Sequence, residues 1–289
     1  MPQFRQVTIV GLGLMGGSLG LALKRRRAAG CVVGLSRSRT TIREALRRRA
    51  IDCGTTDARE ALAQADLVVL ATPVDTLVAQ ARRLAALMRR GSVLTDVGSV
   101  KGQIVSAIER LLPPRVAFVG SHPLCGSEQQ GIRAARADLF DGSICVVTPS
   151  AKTPPAARER VIRFWKPLVG RVRVMDPQTH DRLLASVSHV PHVLAYGLMQ
   201  ATDPRALAIA PPSFLDATRV AQSDPELWDD ILLGNRTAVL SALQRAAFQW
   251  DRARRLLLAD DRAGLRRWLR QAQRRRLKLN RMDRVERLA

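Results

Sequence analysis

Histidine, cysteine, lysine and long apolar runs are all scarce in this chain of 289 residues. It has no run of 18 apolar residues, so we expect no membrane span. Its first residues lead straight into a strand-like run rather than into a signal peptide, which predicts a cytoplasmic protein. The four cysteines are scattered without Cys-x-x-Cys spacing. We therefore predict neither a disulfide framework nor a metal site.

Basic residues outnumber acidic ones by 47 to 25, a net charge of +22, which is compatible with nucleic-acid binding. Other features argue against that partner. Only five of the basic residues are lysine, the charge is spread along the chain, and aromatics make up 4%, too few for a base-stacking platform. We expect no nucleic-acid partner and interpret the charge as an incidental basic surface that attracts anionic substrates and cofactors.

Short apolar strands alternate with helical stretches through the first half of the chain. This order predicts an α/β fold, a doubly wound and mostly parallel sheet with helices on both faces. The predicted strands are Val7 to Val10, Cys31 to Leu35, Leu67 to Ala71, Ser92 to Asp96, Val116 to Val119, Ile144 to Val147 and Val172 to Met175. Helical periodicity then dominates from about Thr179 onward. We predict a dinucleotide-binding domain over residues 1–175 and an all-helical domain over residues 176–289.

A glycine motif follows the first strand directly. The residues are Gly11-Leu12-Gly13-Leu14-Met15-Gly16, which is G-x-G-x-x-G between a strand and a helix. In this context Gly11 permits a tight turn, Gly13 lets the backbone approach a pyrophosphate, and Gly16 lets the helix pack on the strand. Leu14 and Met15 open the helix, whose N-terminus would face the phosphates. We predict a nicotinamide dinucleotide site here.

The end of the second strand points to NADP. An acidic residue usually sits there to bind the ribose 2′-hydroxyl of NAD, but the segment reads Gly34 to Arg39 without one. Ser36 and Arg37 can instead donate to a 2′-phosphate, with Arg39 adding charge. We predict NADP, with NAD as the alternative.

Three further polar segments follow predicted strands. Thr72-Pro73 and Ser99 come after the third and fourth strands, and His122 comes after the apolar run Val116 to Val119. Since the carboxyl ends of parallel strands line the ligand crevice, His122 places an acid/base group there. Ser99 and His122 would come from neighbouring strands, where a hydrogen bond between them is expected.

The chain resembles the prephenate/arogenate dehydrogenases of tyrosine biosynthesis. The matching stretches are Asp96 to Lys101 (DVGSVK), Gly120 to Glu128 (GSHPLCGSE), Ser188 to His192 (SHVPH), Phe214 to Val220 (FLDATRV) and Ser223 to Trp228 (SDPELW). The resemblance implies a Rossmann domain followed by an all-helical domain that forms a homodimer. It also implies oxidation of a cyclohexadienol by NAD(P), with hydride leaving ring carbon C4 and the C1 carboxylate leaving as CO₂.

The resemblance implies roles for five residues. His122 holds the C4 hydroxyl and accepts its proton, and Ser99 orients His122 and contacts the nicotinamide side. Arg219 binds a substrate carboxylate, while Ser188 and His192 contact the substrate. Ser188 and His192 have i, i+4 spacing, which puts them on one helix face.

Two other histidines fall in the same stretch. His189 is equally compatible with a site role and with a buried histidine at the domain contact. We interpret His180 as a helix cap or a dimer contact rather than a catalytic group.

Alternatives stay open at this point. Prephenate is favoured because His192 is present and Gln129 and Gln130 follow Glu128, where arogenate enzymes can place an acid. The NADP signal favours arogenate instead, and Pro211 to Ser213 replace the family's usual glycines. A hydroxyacid-type dehydrogenase is disfavoured because no lysine lies between Lys166 and Lys278. A non-enzymatic NADP sensor would not need the histidine, serine and arginine set.

Overall fold

The computed structural model describes residues 3–127 and 129–288. Eight strands and six helices alternate through the first 174 residues, and six helices follow. The strands are β1 Phe4–Val10, β2 Ala29–Leu35, β3 Cys53–Thr55, β4 Leu67–Leu70, β5 Val93–Asp96, β6 Ala117–Pro123, β7 Ile144–Thr148 and β8 Arg171–Val174. The helices are α1 Leu14–Arg26, α2 Arg39–Arg47, α3 Ala58–Leu62, α4 Leu77–Ala85, α5 Gly102–Leu111, α6 Pro155–Trp165, α7 Pro177–Leu184, α8 Val190–Ala201, α9 Pro212–Thr218, α10 Pro225–Gly234, α11 Arg236–Leu258 and α12 Arg262–Leu288.

The strands form one sheet in the order β3-β2-β1-β4-β5-β6-β7-β8. Its first six strands therefore follow the doubly wound dinucleotide-binding order, which reverses direction between β1 and β4. The pairs among β1 to β6 are parallel, β6 and β7 pair antiparallel, and β7 and β8 pair parallel. The predicted fold class is confirmed.

Both faces of the sheet are buried. In β4 the side chains alternate between two apolar clusters, with Leu67 and Val69 in one and Val68 and Leu70 in the other. Strands covered on both faces read as continuous apolar runs, which is why β4 shows no polar alternation. In sheets covered on both faces in this way, ligands bind outside the carboxyl ends of the strands.

Two strands differ clearly from the prediction, because β3 is an additional strand and β6 is longer than predicted. β3 was not predicted, because Cys53–Thr55 is short and contains a glycine, and neither length nor composition marks it as a strand. β6 extends to Pro123, so His122 lies inside the strand and not in the loop after it. The reason is β7, which pairs with the second half of β6 and places His122 opposite Val146.

The helical half begins with capped helices. Asp176 caps α7 by accepting from the backbone N–H of Thr179, and Asp224 caps α10 by accepting from Glu226. One turn of π-helix, Ala185–His189, separates α7 from α8.

Chain contacts divide the molecule into two compact units between Val239 and Leu240. α7 to α10 therefore belong to the same compact unit as the sheet, and the domain boundary between residues 175 and 176 stays a prediction. No helix in the described part of the chain is long and apolar enough to cross a membrane.

Candidate active site

The turn after β1 requires a glycine. Gly11 has φ +92° and its N–H donates to the carbonyl of Leu35 at 2.9 Å. A Cβ at this position would lie 2.7 Å from the carbonyl oxygen of Ala71. Both the left-handed backbone and the close approach exclude larger residues.

The N-terminus of α1 is open. A Cβ on Gly13 would meet no atom within 4 Å, whereas one on Gly16 would lie 1.9 Å from the carbonyl oxygen of Gly11. Gly13 caps α1 without a side-chain hydrogen bond, and the first turn from Leu14 and Met15 contains no acid. Unpaired N–H groups at such an end attract phosphate, so these residues fit the pyrophosphate of a dinucleotide.

The predicted ligand-binding loops lie in a row along the carboxyl edge. From β2 to β5 the loops carry Ser36, Gly11, Thr72 and Ser99, and β6 itself carries His122, because those strands are neighbours in the order β2-β1-β4-β5-β6. Four inter-strand steps of about 4.8 Å spread this row over roughly 19 Å. An extended ligand along the edge would therefore reach from Ser36 to His122.

The β2 end of the row is basic and accessible. Ser36 is half-buried, and Arg37 and Arg39 are exposed. Ser36 Oγ accepts from the N–H of Ser38, whose own hydroxyl caps α2. At β4, Pro73 is exposed beside the half-buried Thr72.

At the opposite end a chain of hydrogen bonds leads to His122. Nδ1 of His122 lies 2.9 Å from Nε2 of His180, and Nδ1 of His180 lies 2.8 Å from the carboxylate of Asp181. All three residues are buried, with His180 fully so. Nε2 of His122 has no hydrogen-bond partner within the described residues.

The carboxylate of Asp181 is fixed by α5. Its two oxygens accept from the backbone N–H groups of Lys101 at 2.9 Å and Gly102 at 2.8 Å. A Cβ on Gly102 would lie 2.9 Å from this carboxylate, so the glycine permits the approach. The carboxylate thus lies at the N-terminus of α5, where the unpaired N–H groups of a helix need acceptors.

A buried ion pair lies beside the histidines. The ammonium of Lys101 contacts the carboxylate of Asp96, and both side chains are fully buried. Burial lowers the pKa of His122 well below its usual range, and His180 and Lys101 lower it further. Burial also lowers the pKa of His180, although Asp181 opposes that shift. His122 is therefore neutral at neutral pH and can accept a proton.

The remaining two histidines differ in role. His189 is buried, and its Nδ1 lies 3.2 Å from the amide nitrogen of Asn235. His192 stacks on Trp228 with ring centroids 3.4 Å apart, and burial and the nearby charge of Arg219 lower its pKa. The structure thus brings His192 and the exposed Arg219 together and gives His189 an internal partner.

Some expectations need correction. Within the described residues Ser99 makes no hydrogen bond to His122, and the partner of that ring is His180. His180 is not a helix cap, since Asp176 caps α7. Nδ1 of His192 lies 2.9 Å from the backbone carbonyl of Ser188. Glu128 lies outside the described residues.

Sequence reasoning missed the partners of His122. His180 and Asp181 follow the last strand as a His-Asp pair, and the adjacent acceptor was the available signal. Lys101 was recognised only as part of a motif, and its pairing with Asp96, five residues earlier, was not predicted.

Comparison with known proteins places this geometry. Residues 19–174 match the model of the prephenate dehydrogenase nucleotide-binding domain, and residues 176–271 match that of the prephenate dehydrogenase dimerization domain. The chain belongs to the prephenate dehydrogenase family. Cyclohexadienyl dehydrogenase of Zymomonas mobilis is 34% identical, over 96% of this chain and 97% of its own.

Solved members of the prephenate dehydrogenase family share the fold. Prephenate dehydrogenase of Aquifex aeolicus, in complex with hydroxyphenyl propionate and NAD⁺, superposes with a TM-score of 0.88 at 32% identity, covering 95% of this chain and 98% of that one. Arogenate dehydrogenase of Synechocystis gives a TM-score of 0.83 at 30% identity, covering 95% and 99%. The family and its nucleotide-binding domain support a nicotinamide cofactor for this chain.

Proposed function

We propose that this protein is a prephenate dehydrogenase of tyrosine biosynthesis, which oxidises and decarboxylates prephenate to 4-hydroxyphenylpyruvate. The observation that carries the proposal is the buried, neutral His122, which lies at one end of a row of loops that begins with the nucleotide-binding turn. A histidine held neutral with Nε2 unpaired is suited to accept a proton from a substrate hydroxyl.

The proposed chemistry divides among the residues as follows. His122 holds the C4 hydroxyl of the substrate and accepts its proton at Nε2. A bound nicotinamide would accept the hydride from C4, and Ser99 lies on that side of the edge. As the hydride leaves C4, the ring carboxylate departs as CO₂, and the electron pair of the broken C–C bond makes the ring aromatic. The proton held by His122 then returns to the C4 oxygen, which gives the phenol of the product.

Arg219 and His192 form the proposed substrate end, with Ser188 beside them. Arg219 is a planar donor that can hold a carboxylate through two hydrogen bonds. The side chain of prephenate carries negative charge alone, whereas that of arogenate also carries an ammonium. The positive charge of Arg219 near His192 therefore favours prephenate.

Replacement of Arg219 tests this contact. We expect Arg219→Ala to raise KM for prephenate by roughly 10- to 100-fold, since a hydrogen bond to a charged group is worth about 1.5–3 kcal/mol. Arg219→Lys is the matched control, because it keeps the charge and loses the planar fork, and it should fall between the two. An unchanged KM in Arg219→Ala would remove the assignment.

For the cofactor, we propose NADP. Ser36, Arg37 and Arg39 lie at the end of β2, in a segment that carries no acid, and both arginines are exposed where a 2′-phosphate would be bound. We expect Arg37→Asp to shift the ratio of kcat/KM for NADP over NAD by at least about tenfold toward NAD. Arg43→Asp on the exposed part of α2 is the control for a general change of charge. Equal ratios in the wild type and Arg37→Asp would contradict the proposal.

The assembly that we propose is a homodimer. The matched dimerization-domain model covers residues 176–271. In this range the last helices expose large apolar side chains, among them Phe248, Trp250 and Leu257. We also propose residues 1–175 and 176–289 as the two domains, and the cytoplasm as the location.

The decisive experiment measures formation of reduced nicotinamide with purified protein. Prephenate and arogenate are each supplied with NADP⁺ and with NAD⁺. Turnover of prephenate with NADP⁺ is expected to be the most efficient of the four, and His122→Asn should lower kcat by about 10²- to 10⁴-fold. More efficient turnover of arogenate would assign that substrate instead, and no turnover in any pair would refute the proposed function.

A further inference from the structure

A chain of hydrogen bonds runs from the start of α5 through Asp181 and His180 to His122. The chemistry of these groups determines which atom donates and which accepts in each bond. Both oxygens of the Asp181 carboxylate already accept from backbone N–H groups, those of Lys101 and Gly102, so Asp181 acts as an acceptor toward His180 as well. The proton between it and Nδ1 of His180 must therefore belong to His180.

The same logic continues along the chain. A neutral imidazole carries one proton, so His180, protonated at Nδ1, has its lone pair at Nε2. That nitrogen lies 2.9 Å from Nδ1 of His122 and can only accept. His122 must then donate from Nδ1, which leaves its own lone pair on Nε2.

We infer that His180 is a positioning residue, which with Asp181 holds His122 in the tautomer whose Nε2 accepts a proton. The tautomer follows from these contacts and from the neutral state of the two buried rings, and its importance for turnover rests on the proposed function. In this tautomer the nitrogen without a partner among the described residues is the one that carries the lone pair.

Burial makes this arrangement stable. His180 is fully buried, His122 is 8% exposed and Asp181 is 7% exposed, so water cannot readily replace either ring as a partner. When His122 takes up a proton at Nε2, its Nδ1–H still has an acceptor in His180. The imidazolium is thereby stabilised through the same bond that selects the tautomer.

The tautomer can be observed directly, because the chain has only four histidines. The full-length protein is labelled with ¹⁵N-histidine, and long-range ¹H–¹⁵N correlation spectra are recorded near pH 7.5, each ring being assigned from its own substitution by glutamine. We expect His122 and His180 each to show a protonated Nδ1 and a bare Nε2. A wild-type His122 protonated at Nε2 would overturn the inference, and this measurement does not depend on turnover.

Variants connect the tautomer to catalysis. His180→Leu removes the acceptor, so His122 should lose the fixed Nδ1–H form and kcat should fall roughly 10- to 100-fold with KM little changed. His180→Gln can accept from His122 and donate to Asp181, and it should recover part of both. His189 is also buried but does not belong to this chain of hydrogen bonds, so His189→Gln should leave the tautomer of His122 unchanged.

The outcomes distinguish a failure of the positioning role of His180 from a failure of the proposed function. If His180→Leu retains the wild-type tautomer and kcat, His180 is not a positioning residue. If the tautomer is as expected but none of the four substrate and cofactor pairs is turned over, the proposed function is wrong and the arrangement of His122 stands.

Discussion

Burial of histidine sets the properties of single residues in this protein. Burial lowers the pKa of His189 to about 4, and its Nδ1 faces Asn235. The ring of His192 is also neutralised, by burial and by the charge of Arg219, while it stacks on Trp228. Neutral histidines can stack and accept hydrogen bonds, which charged ones do poorly inside a protein.

The pKa of His189 predicts a dependence of stability on pH. Because the folded-state pKa lies below the unfolded value of about 6.5, the unfolded chain binds more protons between the two, and stability is lost as pH falls through this range. Through His189, the free energy of unfolding should fall by about 3 kcal/mol between pH 7 and pH 4. Urea unfolding of the wild type and His189→Gln from pH 7 to 4 measures it as a difference, since His122 and His180 act in the same direction in both proteins. Parallel curves would show that His189 does not titrate in this way.

At the scale of elements, the segment that joins β5 to α5 is held in place by two carboxylates, those of Asp96 and Asp181. The carboxylate of Asp96 accepts from the N–H groups of Gly98 and Ser121 and from the ammonium of Lys101. Asp181 of α7 accepts hydrogen bonds from the backbone at the start of α5. The segment that carries Ser99 is therefore fixed to the sheet on one side and to the helical half on the other.

Removing one member of the buried pair should be costly. Lys101→Met leaves the carboxylate of Asp96 buried without its cation, and we expect a loss of about 3–5 kcal/mol in the free energy of unfolding. Combining it with Asp96→Asn should recover part of the loss, because the charge is then absent. Arg47→Met breaks the exposed pair with Glu44 and serves as the control that changes stability little. Equal effects of the two single substitutions, measured by urea unfolding, would contradict this account.

The elements could be predicted where local signals agree with the fold. Apolar runs bounded by glycine or polar residues predicted β1 and β4. The short β3 has no such signal. The extension of β6 through His122 depends on β7, which lies more than 20 residues further along the chain.

The candidate site also has one part that the sequence predicts and another that only the fold determines. The glycine turn is local and was predicted, whereas the bonds from His122 to His180 and from Asp181 to α5 join residues 58 to 80 positions apart. Only the folded chain determines that α7 lies against the start of α5, so His180 was interpreted as a cap or dimer contact. The roles of Ser99, Ser188 and Arg219 stay predictions.

At the scale of the whole molecule, charge is the dominant property. The chain of 289 residues carries a net charge of +22, and the substrate and the cofactor proposed for it are both anionic. A field of this sign raises the rate of encounter with anions, and salt weakens it. The absence of a nucleic-acid partner stays a prediction.

Turnover should therefore depend on ionic strength. We expect kcat/KM for prephenate to fall several-fold as the Debye length shortens from about 30 Å at 0.01 M salt to about 10 Å at 0.1 M. The value of kcat at saturating substrate is the internal control, since long-range attraction acts on encounter and not on the bound complex. A kcat/KM that is constant across this range would show that the basic surface plays no part in substrate capture.

The π-helical turn Ala185–His189 has a consequence for how this chain tolerates changes in length. A π turn accommodates one residue more than an α turn does, so deletion of one residue there would leave an ordinary α-helix. Because one π turn and one α turn each close about one rotation, such a deletion would leave the residues after it close to their present orientation relative to α7. His192 would then still face Trp228, and the side chains within the turn would be the ones to change direction. The turn thus marks a position where the chain can lose one residue without turning α8 away from its stacked partner.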